Sequence, residues 1–107
     1  MDALLAAYRR SPEFAGLAKT TRATYAIYLR DLDGLGDVRA AELRRRELLE
    51  IRDAIATARG NGAATGFQRI ASALFAWAVE RGWLESNPLA RARKLPGGHL
   101  PPWTESD

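Results

Sequence analysis

The sequence predicts an all-α protein, a bundle of four to five helices, and three observations carry that expectation. Apolar residues recur at intervals of three and four along most of the chain, and no stretch alternates with the period of a strand. Helix punctuation brackets the apolar stripes: Ser11-Pro12 and Asn87-Pro88 as starts, and Gly34, Gly60-Asn61-Gly62 and Gly82 as stops. With 107 residues, 47% of them hydrophobic and 27% charged, the chain suits one domain around one modest core.

Leu4, Leu5 and Tyr8 mark one face of a short first helix ending near Arg10. Ser11-Pro12-Glu13 then offers an N-cap, a proline at the first helical position and an acid in the first turn, so a short helical turn is expected through about Leu17. Thr21, Tyr25, Tyr28, Leu29 and Leu32 form a single stripe, predicting a helix that ends at Asp33-Gly34. Val38 and Leu43 lead into a charged helix over about 43–58, with Leu48, Ile51 and Ile55 facing inward. In it Arg46 has Glu42 and Glu50 one turn away on either side, which reads as a surface arginine tied to its neighbours. After Gly60-Asn61-Gly62, Thr65 is positioned to cap the next helix, which runs to about Arg81. Phe67, Ile70, Ala71, Leu74, Trp77 and Ala78 give it a broad apolar face, widened by Phe75 and Val79, so it is the most buried helix expected. Gly82 ends it, and Trp83-Leu84 is expected to fold back on the last turn. Asn87-Pro88 predicts a short final helix.

Residues 1–95 therefore read as one helical domain. Pro96, Gly97, Gly98, Pro101 and Pro102 make 96–102 an extended linker. Thr104 followed by Asp107 reads as the capped start of another helix, so 96–107 is expected to be a linker and the start of a further, absent domain.

The net charge of +3 says less than its distribution. Residues 31–53 hold seven acids against five arginines, a net of −2, which leaves the rest of the chain at +5. Stretches 14–30, 54–79 and 86–104 contain no acid; their bases are Lys19, Arg22 and Arg30, then Arg59 and Arg69, then Arg91, Arg93 and Lys94. A surface without carboxylates suits a polyphosphate partner.

Catalytic candidates are few. The single histidine, His99, falls in the Gly/Pro linker, where it is expected to be solvated, and there is no cysteine. No catalytic residue, cofactor, metal site or small-molecule substrate is expected. With no apolar run near the ~18–20 residues that span a bilayer and no export signal, no membrane partner is expected and a cytoplasmic setting is.

Binding is better supported. The face Thr65, Gln68, Arg69, Ser72, Ala73 and Ala76 is read as the outer side of its helix, yet it lacks the Glu and Lys of an ordinary solvated surface. Small side chains permit close approach, Gln and Arg can pair with base edges, and hydroxyls reach phosphate. Lys19, Thr20, Thr21 and Arg22 place two bases and two hydroxyls at a helix start, where free N–H groups attract phosphate. A reading from another class stays open: a helical protein–protein or oligomerisation module.

Several ordered motifs resemble one known family. Tyr8-Arg9-Arg10-Ser11-Pro12-Glu13-Phe14-Ala15-Gly16-Leu17, followed by Thr21 and Tyr25, resembles the opening helices of bacterial integrases. Phe75, Trp77-Ala78, Gly82, Leu84 and Asn87-Pro88 resemble the family segment f-x-W-A-x-x-x-G-x-i-x-x-N-P, the most specific piece. Lys94-Leu95 followed by Pro102-Trp103-Thr104-Glu105 resembles the linker into the catalytic domain. The chain is thus similar to the SAM-like core-binding domain of phage-type integrases, which are tyrosine recombinases. One departure is Ala18, where the family often has a capping Ser; the cap is expected to shift to Thr20.

The resemblance implies a non-catalytic half of a clamp on double-stranded DNA at a recombination core site, alongside other integrase protomers, in a bacterial or phage-encoded, nucleoid-associated setting. It also implies that the arginines, histidine and nucleophilic tyrosine which cleave DNA belong to the missing domain. The helix like 65–81 and the start of the helix like 20–33 would face DNA, and Arg91, Arg93 and Lys94 would contact phosphates.

Overall fold

The computed structural model describes residues 1–35, 38, 39, 42–93 and 95. Among them are five α-helices and no strand: α1 Asp2–Arg9, α2 Pro12–Ala15, α3 Lys19–Leu32, α4 Arg45–Arg59 and α5 Asn61–Glu80, with a 3-10 turn at Asp33–Leu35. None of these helices is long and apolar enough to cross a membrane. The expected linker at 96–107 and the helix start at Thr104 lie outside the described residues.

The axis of the fold is α5. Ala64, Phe67, Ile70, Ala71, Leu74, Phe75 and Ala78 are buried on it, and Phe67 and Phe75 are the largest side chains wholly withdrawn from water. Burying each such ring contributes about 1.5–3 kcal/mol. Against that face lie Leu4, Leu5 and Tyr8 of α1, Leu29 and Leu32 of α3, and Leu48 and Ile55 of α4. The predicted stripe of α1 packs whole, while those of α3 and α4 pack in part: Leu29, Leu32, Leu48 and Ile55 are buried, and Tyr25, Tyr28 and Ile51 stay half-buried at the edge of the core. Val79, expected on the apolar face, is exposed: the face is already filled by Phe75 and Ala78 on either side of it.

Local chemistry explains most helix ends. Ser11 accepts from the Phe14 N–H at 3.1 Å, capping α2 while Pro12 occupies its first position. Further along the chain α5 closes in a Schellman motif, with the Gly82 N–H bonded to the Val79 carbonyl and the Trp83 N–H to that of Ala78. Gly82 has φ +83°, a conformation that glycine adopts without a Cβ clash. Leu84 rather than Trp83 packs back onto the core; Trp83 is exposed.

Two expectations are corrected. Thr65 does not cap α5, because Gly60 alone, at φ +96°, ends α4 and starts α5, and the helix therefore begins at Asn61. Asn87-Pro88 starts no helix. Asn87 Oδ1 does accept from the Leu89 N–H at 2.9 Å, and the Asn87 and Leu89 carbonyls accept from the Ala90 and Ala92 N–H groups in single turns, but the carbonyls that would carry a helix further go elsewhere. Arg45 binds that of Ala90, Gln68 that of Ala92 and Arg52 that of Arg93. Arg91, at φ 60°, turns the chain instead.

Two long-range clasps fasten the bundle. Arg81, after α5, meets the Glu13 carboxylate at 2.6 Å, and Trp77 Nε1 donates to the same carboxylate at 3.1 Å. The rings of Tyr8, Phe14 and Trp77 pack beside it, with those of Trp77 and Phe14 centred 5.2 and 5.4 Å from that of Tyr8. At the opposite side Arg59, ending α4, meets Asp31 of α3 at 2.8 Å and covers the Tyr28 ring.

Candidate nucleic-acid interface

The first turn of α3 carries Lys19, Thr20, Thr21 and Arg22. Its N-cap is Ala18, which supplies no side-chain acceptor, and the expected shift of the cap to Thr20 does not occur: Thr20 is inside the helix, its carbonyl accepting from Thr24 Oγ1 at 3.2 Å. No acid lies in this turn, so its positive dipole end is uncompensated. Lys19 and Thr20 are exposed, while Thr21 and Arg22 are half-buried. The Arg22 Nε atom is buried and finds no hydrogen-bond acceptor among the described residues, an arrangement that costs free energy until an acceptor arrives.

Thr21, Thr24 and Tyr25 of α3 face Arg69, Ile70 and Ala73 of α5 across a shallow hollow of about 390 Å³. A second hollow, about 200 Å³, is lined by Thr65, Gln68, Arg69, Ser72 and Leu89. Arg69 is a wall of both, so the start of α3, the middle of α5 and the segment around Leu89 make one continuous surface. Among the described residues no carboxylate lines either hollow.

The sequence-level face of α5 does not survive intact. Gln68, read as an outward base-pairing candidate, is 7% exposed. Its amide is engaged at both ends: Oε1 accepts from Arg52 at 2.8 Å and Nε2 donates to the Ala92 carbonyl at 2.9 Å. Ser72 is half-buried and receives Asn87 Nδ2 at 3.2 Å on Oγ and 3.0 Å on its carbonyl. Both side chains hold the chain after α5 rather than standing free. Thr65 is half-buried in the second hollow; Arg69, Ala73 and Ala76 are exposed as expected.

Beyond α5, Arg91 and Arg93 are exposed; Lys94 and His99 lie outside the described residues. Ion pairing sorts the basic side chains. Arg9, Arg46, Arg52, Arg59 and Arg81 pair with Asp33, Glu50, Asp53, Asp31 and Glu13. Lys19, Arg22, Arg69, Arg91 and Arg93 pair with no carboxylate among the described residues, as is also true of Arg10, Arg30, Arg39, Arg44 and Arg45. Arg59 shows the limit of reading charge along the chain, since its acid-free stretch meets Asp31 in space.

Sequence reasoning missed Arg52, whose side chain is 12% exposed and donates to both Gln68 and the Arg93 carbonyl. Its signal was present, because Leu48, Ile51, Arg52 and Ile55 share one helical stripe. Gln68 lies likewise on the stripe of Ala64, Phe67 and Ala71.

Chemically, the surface offers guanidinium, ammonium and hydroxyl donors without a competing anion. Among the described residues no group of three His, Cys, Asp or Glu side chains could hold a metal ion. Compared with known proteins, the chain matches no family model, no curated protein and no solved structure.

Proposed function

We propose that this chain is a non-catalytic DNA-gripping domain, of the SAM-like core-binding type found in phage-type integrases, which holds duplex DNA while strand cleavage belongs to another domain. One observation carries the reading: Arg69, Thr21 and the small Ala73 line a continuous surface across α3 and α5 with no carboxylate among its described lining residues, and Lys19 and Arg22 stand in the same first turn of α3 as Thr21. Arg69 and Lys19 supply phosphate contacts, Thr21 a hydroxyl donor, and Ala73 the close approach of the helix to the backbone. Arg22 brings a guanidinium whose buried Nε lacks an acceptor among the described residues. Arg91 and Arg93 extend the positive surface beyond α5.

The test is fluorescence anisotropy of a labelled duplex titrated with the full chain, where affinity falling steeply between about 50 and 200 mM salt supports the reading. Anisotropy that stays flat at low salt up to high micromolar protein rejects it.

A second reading, a protein-docking module, is favoured by the exposed Trp83. Its ring stands at a broad hollow lined also by Leu43, Leu84 and Pro88. It requires concentration-dependent association in light scattering and no response to DNA.

A further inference from the structure

The segment after α5 is held to the bundle by polar side chains from two helices, Gln68 buried and Arg52 and Ser72 half-buried. Asn87 is anchored on Ser72, Leu89 is 3% exposed beside the hollow that Arg69 walls, and the carbonyls of Ala92 and Arg93 are bound by Gln68 and Arg52. The donors are not isolated, because Arg52 Nη1 serves Gln68 Oε1 and the Arg93 carbonyl together, each at 2.8 Å. Three groups therefore lock at one point, and the two bound carbonyls belong to successive residues. Arg91 sits just before that point in a left-handed conformation that a side chain adopts only at a cost. A clasp on these carbonyls sets the direction in which Arg91 and Arg93 leave the surface.

We infer that Arg52 and Gln68 are a positioning pair, which holds the backbone at Ala92 and Arg93 so that Arg91 and Arg93 join Arg69 in one phosphate-contacting strip. The inference rests on the DNA-binding reading above and deepens it. Neither Arg52 nor Gln68 needs to touch DNA; the pair aims the arginines that do.

The experiment compares the salt dependence of duplex binding for the wild-type chain, Gln68→Met, Arg91→Ala/Arg93→Ala, and the three changes combined. Gln68→Met keeps the length and burial of the side chain but removes both of its own bonds, to Arg52 and to the Ala92 carbonyl, so that Arg52 alone is left holding the Arg93 carbonyl. Each phosphate that is no longer neutralised reduces the affinity change between about 50 and 200 mM salt by about 3.5-fold. Gln68→Met is expected to reduce that change by about tenfold, as the Arg91/Arg93 variant does, and the triple combination is expected to reduce it no further. Far-UV circular dichroism identifies folded variants, and if Gln68→Met does not fold, Arg52→Lys, which retains the charge but cannot span both acceptors, takes its place. A Gln68→Met chain with the wild-type salt slope overturns the inference and leaves the DNA-binding reading standing. An unchanged slope in Arg91→Ala/Arg93→Ala overturns it too, because there is then no phosphate-binding arginine to position. A wild-type chain that does not bind DNA overturns both.

Discussion

Gln68 of α5 and Arg52 of α4 meet at 2.8 Å on the apolar stripes of their two helices. Each occupies a position that its helix turns toward the core, and each carries the polar group that the other needs. Burial of either alone leaves a donor or acceptor without a partner.

Gln68→Ala is accordingly expected to lower stability by ~1–3 kcal/mol, because it strips Arg52 and the Ala92 carbonyl of partners in a half-buried site. Combining it with Arg52→Met should cost less than the sum of the two single changes, since the Arg52–Gln68 bond is lost only once and neither side chain then leaves the other short of its partner. Urea denaturation of the four chains measures this coupling, and strict additivity would show the two residues to be independent.

A Cβ added at Gly66 would lie 2.7 Å from the Tyr28 hydroxyl oxygen and 3.0 Å from the adjoining ring carbon. Gly66→Ala should therefore destabilise the protein by about 1 kcal/mol through overpacking, despite the better helix propensity of alanine. With Tyr28→Ala in place the clash is gone, and the same change should stabilise by about 1 kcal/mol. Thermal unfolding of the two pairs reads the change of sign.

Glu13 and Tyr8 give the fold opposite pH sensitivities. The Glu13 carboxyl is held below its ordinary 4.5 by its own backbone N–H, then by Arg81 and Trp77. Its stabilising contribution is thus complete above about pH 4.5 and is lost as pH falls through the lower folded-state value. The stability advantage of wild type over Glu13→Gln, measured by urea denaturation, should shrink on acidification across that window. Burial pushes the Tyr8 phenol up from 10.0 to about 12, with Tyr25 and Glu13 adding to the effect. The neutral ring stabilises the fold fully below pH 10, and that contribution is lost as pH rises toward 12. Tyr8→Phe should therefore be less sensitive to alkali than wild type, with the phenolate absorbance of the wild-type chain marking the transition.

Lys19→Ala/Arg22→Ala/Arg69→Ala should weaken duplex binding and flatten its salt dependence by about 2.7 in log–log slope, three phosphates' worth. A triple variant that binds as wild type does would move the interface elsewhere on the surface.

Much of the bundle is legible in short-range pattern. The stripe of α1, the Ser11-Pro12 start of α2 and the Gly82 stop of α5 depend on residues within one or two turns, so local geometry decides them. Where the reading departs from the structure, a distant partner often intervenes. Asn87-Pro88 has the signature of a helix start, but donors on Arg45, Arg52 and Gln68 claim the carbonyls that follow. Thr65 has the signature of a cap, yet the backbone at Gly60 lets α5 begin a full turn earlier. At the candidate site, Lys19, Arg22 and Arg69 were legible because their charge stands in stretches without acids; the withdrawal of Gln68 and Ser72 was not, because their partners lie 24, 16 and 15 residues away.

By itself, then, the sequence determined that the chain is helical, where most helices stop, which faces are apolar, and that basic residues outnumber acids away from residues 31–53. Those properties follow from backbone periodicity and from side chains reaching their own turn. Only the tertiary structure decided which cations are neutralised and which stand free. Arg59 finds Asp31 across 28 residues and Arg81 finds Glu13 across 68, whereas Arg69 finds no carboxylate among the described residues. An ion pair falls off with distance in space, and packing α3, α4 and α5 together is what sets that distance.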